Sequence, residues 1–287
     1  MPIIVKDLKH IYSKNGPFER VAINDISFEI EDGSFIGVIG HTGSGKSTLI
    51  QHLNGLLKAD SGTIIINSCD ITKSDVDMKK IRSQVGVVFQ YPEYQLFEET
   101  VYKDIAYGPK NLGFTDEEIS KAVYDSLDFV GLDISVLQKS PFELSGGQKR
   151  RVAIAGILAM NPSILILDEP TAGLDPMSRN DLLQRLKTLH ETKKVTIILV
   201  SHSMEDIAST VEKVMVMSEG KLIAFDTVSN IFSNSDKLLE IGLGIPQITL
   251  VLKKLKEQGF NIPYDGVYSV EEAADIIYKL IKGDKNA

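Results

Sequence analysis

The eight residues Gly40-His41-Thr42-Gly43-Ser44-Gly45-Lys46-Ser47 constrain this chain more than any others. They satisfy the spacing G-x-x-x-x-G-K-[ST], which a chain of this length meets by chance only about one time in a hundred. Their flanks say what must fold around them. Ser34-Phe35-Ile36-Gly37-Val38-Ile39 is a short apolar run of the buried-strand kind. Beyond Lys46, the residues Leu49, Ile50, Leu53, Leu56 and Leu57 recur three and four apart, which predicts a helix with one apolar face. Strand, glycine-rich turn and helix in that order make a phosphate-binding loop. Glycines 40, 43 and 45 let the backbone approach an anion closely, with Ser44 between them. The loop N–H groups and the positive helix end then face that anion. Lys46 neutralises the β- and γ-phosphates, the Ser47 hydroxyl ligates Mg²⁺, and Thr48 follows in the first helical turn. His41 and Thr42 fill variable positions. The motif uses the backbone there, so the His41 ring is expected to face solvent or the edge of the ligand.

Three further apolar runs end in polar residues. Ile164-Leu165-Ile166-Leu167 leads into Asp168-Glu169-Pro170. In an open parallel α/β sheet, ligands sit beyond the carboxyl ends of the strands, which places both acids beside the phosphates. Asp168 is expected to hold the Mg²⁺ shell. Glu169 is expected to orient and polarise the attacking water, since phosphoryl transfer needs positioning and charge stabilisation. Val195 to Val200 ends at Ser201-His202, and the imidazole can hydrogen-bond both γ-phosphate and water. Val85-Gly86-Val87-Val88-Phe89 ends at Gln90, whose amide can ligate Mg²⁺ or water.

About a hundred residues after the loop stands Leu144-Ser145-Gly146-Gly147-Gln148. With this string present, residues 1–230 resemble the ATP-binding cassette ATPases in every diagnostic motif and in order. The signature reads as a helix start, with Ser145 as N-cap and the two glycines baring backbone N–H groups. The resemblance implies that Ser145, Gly146, Gly147 and Gln148 bind the γ-phosphate held by a second subunit, in a head-to-tail dimer with two sandwiched nucleotides. It also implies that Asp175, in Gly173-Leu174-Asp175-Pro176, reaches across that contact, and that Tyr12 stacks on adenine. The other reading of Tyr12 is a strand aromatic packed on its sheet.

Phe89 to Val101, with Gln90-Tyr91-Pro92-Glu93-Tyr94-Gln95-Leu96-Phe97 at its centre, resembles the segment after the glutamine in energy-coupling factor transporter ATPases. Such ATPases power uptake of vitamins and of cobalt or nickel. Tyr102 to Gly113 and Val152-Ala153-Ile154-Ala155-Gly156 continue the likeness, and Thr42 resembles one of the two paralogous ATPase types. Leu96 and Phe97 suit either the core of a helical lobe or an aromatic-rimmed groove for a partner's helix. The resemblance implies ATP and Mg²⁺ as ligands. The implied partners are a second cassette ATPase, a polytopic membrane coupling protein and a small substrate-binding membrane protein. The implied location is the cytoplasmic face of the cell membrane. A dedicated cobalt or nickel importer would use nearly the same subunit.

The 287 residues carry 31 basic and 39 acidic side chains, a net charge of −8 that argues against coating nucleic acid or docking through a polybasic surface. No apolar run approaches the roughly 18 residues of a membrane span, no signal-peptide pattern opens the chain, and the lone Cys69 excludes an internal disulfide. A soluble cassette protein acting on ribosomes or DNA is disfavoured, because the chain holds one cassette and no heptad run. The expected fold is α/β: a P-loop ATPase core with an antiparallel β-subdomain and an inserted helical subdomain, about 96–160, within residues 1–230. A small helical extension, 231–287, is expected to dimerise. Within it, Pro246 to Gln258 and Ser269 to Ile281 are helix candidates that pack on each other.

Overall fold

The computed structural model describes residues 3–233, 235–264 and 266–282. β1 (Ile3–Tyr12) and β2 (Arg20–Ile30) form a hairpin, and β3 (Phe35–Ile39) leads through the glycine-rich loop into α1 (Lys46–Leu53). β4 (Ser61–Ile66) and β5 (Cys69–Asp70) return to the hairpin, followed by α2 (Met78–Gln84) and β6 (Val85–Val88). The helical segment holds α3 (Val101–Leu112), α4 (Asp116–Phe129) and α5 (Gly146–Leu158). The chain then runs through β7 (Ile164–Asp168), α6 (Pro176–Lys193), β8 (Thr196–Val200), α7 (Met204–Thr210), β9 (Lys213–Ser218) and β10 (Lys221–Thr227). It ends with α8 (Val228–Ser233), α9 (Ser235–Glu240), α10 (Gln247–Glu257) and α11 (Val270–Ile281).

Two sheets result. The outer one is antiparallel, in order β2-β1-β4-β5; the central one runs β10-β9-β3-β8-β7-β6. Within the central sheet β3 is parallel to β8 and β9, β7 is parallel to β6 and β8, and β10 closes the edge antiparallel to β9. A parallel sheet covered on both faces needs nearly continuous aliphatic strands, and that is why these runs do not alternate with polar residues.

Alternate residues feed two separate cores. Phe35, Ile39, Leu165, Leu167, Ile197 and Leu199 face the helices, joined by Val152 and Ile154 of α5. Ile36, Val38, Ile164, Ile166, Ile198 and Val200 face α1 and the outer sheet. Each such side chain, fully buried, contributes about 1.5–3 kcal/mol.

Helix ends follow local chemistry. Thr115 and Glu118 form a capping box on α4, and Ser145 with Gln148 forms another on α5. The helix expected to run on to Leu57 stops earlier. Asn54 caps α1 and its side-chain amide donates to the Val85 carbonyl at 2.7 Å. Gly55 then takes φ +66°, turning the chain and leaving Leu56 exposed.

The boundary expected near residue 230 falls inside α8. Val228, Ile231 and Phe232, and then Leu238, Leu243 and Ile245, belong to the helix-side core. Separate packing begins with α10 and α11, which share a small core of Leu252, Ile262, Val267 and Ala273. Among the described residues, no helix is long and apolar enough to cross a membrane.

Candidate nucleotide site

Because β3, β6, β7 and β8 run parallel, their carboxyl ends open on one edge, and a pocket of about 880 Å³ lies there. Tyr12, Thr42, Gly43, Gly45, Lys46, Ser47, Thr48, Gln90, Asp168, Glu169 and His202 line it.

The loop is held in shape from two sides. Buried Lys46 donates from Nζ to the carbonyls of Gly40 at 2.6 Å and His41 at 3.2 Å, bridging the turn it belongs to. Burial lowers its pKa, opposed by the charges of Glu169 and Asp168. Gly45 has φ +103°, and a Cβ there would stand 2.6 Å from the Ala22 carbonyl of β2. The loop is therefore pinned beneath the hairpin, and only glycine fits. This contact also brings Arg20 and Ala22 into the pocket, two residues the sequence reading missed. Arg20 pairs in register with Tyr12 across the hairpin and its guanidinium donates to the Gly43 carbonyl at 3.3 Å. The strand-turn-strand pattern around Tyr12 was the signal that could have found it.

The carboxylates come next. The Ser47 hydroxyl donates to Asp168 Oδ2 at 3.4 Å, so two oxygen donors meet beside the loop. Burial pushes the Asp168 carboxyl up, countered by that hydrogen bond and by Lys46. Glu169 is raised to about 7, first by burial and then by the charge of Asp168. Its Oε1 is buried without a hydrogen bond and lies 3.6 Å from His202 Nε2. The His202 imidazole is pushed down by burial and by Lys46. Glu169 also holds φ +52°, a left-handed backbone that costs a non-glycine residue about 1–3 kcal/mol unless its surroundings impose it.

Some residues are placed differently from expectation. The His41 ring points neither into solvent alone nor at the pocket. Its Nδ1–H donates to the Thr42 carbonyl at 2.9 Å, and Nε2 sits 3.3 Å from Ser218 Oγ on β9. Tyr12 lies at the pocket rim, with its hydroxyl 3.2 Å from Thr48 Oγ1. Behind it, an edge-to-face chain of rings runs Tyr12–His10–His52, with centroids 4.6 Å apart at each step. Ser145, Gly146, Gly147, Gln148 and Asp175 are absent from the pocket lining. They sit at two other helix starts, with Ser145 capping α5 and Asp175 capping α6 through the Ser178 N–H at 3.0 Å.

The ABC transporter family profile matches residues 23–172, spanning the loop and both carboxylates. The chain belongs to the ATP-binding cassette transporter family. Its relatives in that family are specific in kind. It is 54% identical over its whole length, and theirs, to the energy-coupling factor transporter ATP-binding protein EcfA2 of Caldanaerobacter subterraneus subsp. tengcongensis. It is 56% identical to the protein of the same name from Clostridioides difficile, over 99% of each chain. Among solved structures, cbiO1 from Clostridium perfringens, described as part of the ABC transporter complex cbiONQ, is similar at TM-score 0.74 and 36% identity. That likeness covers 88% of this chain and 98% of the other. A cassette named MJ0796, solved as a dimer in a post-hydrolysis state with ADP and Pi, matches at TM-score 0.72 and 28% identity, over 79% and 98%.

Within this cassette, the glycines of the signature stand open. A Cβ on Gly146 or Gly147 would meet no described atom within 4 Å. The segment after Gln90 edges a second cavity of about 1200 Å³, lined by Leu96, Phe97 and Tyr107 among others, between α3 and α5. Leu96 packs partly on the core, while Phe97 stands 58% exposed and meets Tyr107 edge-on at 4.8 Å. Leu96 is thus shared between core and cavity, and Phe97 stands at the cavity rim.

Proposed function

We propose that this chain, the ATP-hydrolysing subunit of an energy-coupling factor transporter, binds ATP in the pocket between the glycine-rich loop and the ends of β6, β7 and β8. The convergence of Lys46, Ser47, Gln90, Asp168, Glu169 and His202 on one pocket carries this reading. Tyr12 receives the adenine edge, the loop N–H groups and Lys46 hold the phosphates, and Glu169 takes the proton of the attacking water. His202 hydrogen-bonds the γ-phosphoryl oxygens as they become free phosphate. A carboxyl near pH 7 suits a base that must accept a proton at neutral pH. The hydroxyl of Ser47, the amide oxygen of Gln90 and the carboxylate of Asp168 are hard oxygen donors of the kind Mg²⁺ takes. The ion, when bound, offsets charge on the phosphoryl oxygens.

The open glycines of the signature support a head-to-tail dimer, in which Ser145 to Gln148 and Asp175 complete the partner's nucleotide site. The α10–α11 pair serves as an extension that joins the two ATPase subunits. The cavity edged by Leu96 and Phe97 receives a polytopic membrane protein, so the subunit works at the cytoplasmic face of the membrane. A small membrane protein in the same assembly selects the cargo, a vitamin or a transition-metal ion.

A tagged copy pulled down from gently solubilised native membranes tests the assembly. Co-elution of a second cassette ATPase, a polytopic membrane protein and a small substrate-binding membrane protein is expected. Recovery of a dedicated cobalt or nickel importer's components instead would favour that alternative. Purely soluble partners would refute membrane coupling.

A further inference from the structure

Arg150 is a buried cation on α5, far from solvent and without an assigned task. Its guanidinium spends its donors on two different loops. Nε and one terminal nitrogen form a two-point pair with the Glu93 carboxylate, each contact 3.2 Å. The other terminal nitrogen donates to the backbone carbonyls of Pro170, at 3.5 Å, and Ala172. The Tyr91 ring lies beside it, 6.0 Å from the guanidinium carbon to the centroid.

These contacts fall on functionally opposite segments. Glu93 sits in the short 3₁₀ turn Pro92–Gln95, between Gln90 and the cavity-edging Leu96 and Phe97. Tyr91, before it, holds φ +57°, so the turn is itself a constrained piece of backbone. Pro170 and Ala172 belong to the turn that Glu169 opens: the Ala172 N–H donates to the Glu169 carbonyl at 3.2 Å, and the Glu169 N–H to the Val200 carbonyl at 3.0 Å. Thr171 is tied in turn to Asp206 by its hydroxyl at 2.9 Å. The left-handed backbone of Glu169 thus persists because its turn is held from several directions, and Arg150 is the hold that leads back to the groove. A planar guanidinium can grip a carboxylate at two points and still reach carbonyls on its far side; an ammonium cannot.

We propose that Arg150, paired with Glu93, is a positioning residue that links the partner-facing segment after Gln90 to the turn carrying Glu169. A displacement of the 92–95 turn by a docked membrane protein then moves the carbonyls of Pro170 and Ala172, and with them the carboxylate. This rests on the reading of Glu169 as the base and of the Leu96–Phe97 cavity as the docking groove.

Steady-state ATPase kinetics on the complex recovered from native membranes test the link, using Glu93→Gln, Arg150→Gln, the double variant, Arg150→Lys and Glu169→Gln. Thermal unfolding checks that each variant is folded. Each single substitution is expected to lower kcat at least tenfold while KM for ATP moves less than twofold. The double variant should be no worse than the worse single, because both cut one connection. Arg150→Lys should fail to restore kcat although it keeps the charge. Wild-type kcat in Glu93→Gln, strictly multiplicative losses, losses confined to KM, or full rescue by lysine would each overturn the link. Turnover retained in Glu169→Gln would instead remove the underlying assignment of the base.

Discussion

Replacing Glu169 by glutamine should make the nucleotide-free protein more stable while stopping its chemistry. The carboxyl is buried, close to Asp168, and raised from 4.5 to about 7. Between those values the native state holds a proton that the unfolded chain has lost, so stability falls as pH rises from about 4.5 to about 7 and stays low above it. A rise of roughly 2.5 units at 1.36 kcal/mol each sets a ceiling of about 3 kcal/mol at pH 8, shrinking to about 1 kcal/mol at pH 5. The pocket opens to solvent, which reduces the expected gain to about 1–2 kcal/mol at pH 8. For a chain of this size that is an increase of about 2–3 °C in Tm. The assay is thermal unfolding of wild type and Glu169→Gln at pH 8 and pH 5, with nucleotide and divalent ions removed. Loss of the base should lower kcat by about 10²–10⁴, or roughly 3–5 kcal/mol of barrier. A variant that is equally stable at both pH values, or less stable at pH 8, would refute the argument that burial and Asp168 hold this carboxyl in an unfavourable state.

Lys46→Ala removes the only ammonium that lines the pocket among the described residues; charge-assisted bonds of about 1.5–3 kcal/mol predict ATP binding weaker by about 10²-fold, read by fluorescent-nucleotide titration. Leu96→Glu should leave the basal ATPase of the purified subunit within about twofold but abolish transport in reconstituted vesicles; transport at the wild-type rate would end the groove assignment. His52 is fully buried, with Nδ1–H donating to the Thr48 carbonyl at 2.7 Å, and burial is the main force holding its pKa down. The unfolded chain therefore gains a proton first, and stability should fall as pH drops below about 6.5. His52→Gln should flatten that slope in urea unfolding at pH 5.5 and 7.5; an unchanged slope would refute the argument that burial holds this imidazole neutral.

The parts of this molecule that were readable in its sequence are those governed by local rules. Aliphatic runs ending in Gln90, Asp168-Glu169 and Ser201-His202 declared both strand and edge, because a doubly covered parallel sheet leaves polar residues nowhere else to go. Ser145 marked the start of α5 by hydrogen-bond chemistry alone. What escaped depends on contacts between distant segments. Apolar spacing carried α1 on to Leu57, yet Asn54 reaching Val85 and the left-handed Gly55 stop it at Leu53. Arg20 enters the site because the hairpin register sets it opposite Tyr12. Arg150 looks in sequence like one more charge in Lys149-Arg150-Arg151, and only the fold shows that it is enclosed. The boundary near 230 failed to show because α8 buries Phe232 in a core built mostly from residues before it.

Gly146 and Gly147 open α5 with ordinary helical backbone and room on every described side. Nothing among the described residues requires glycine there, and alanine in a helix is favoured by about 1 kcal/mol at each position. At these two positions the molecule's own folding and the proposed head-to-tail dimer pull the sequence in opposite directions. A screen that ranked variants of the isolated subunit by melting temperature would promote Gly147→Ala, and with it a Cβ on the surface that the proposed head-to-tail dimer offers to another subunit's phosphate.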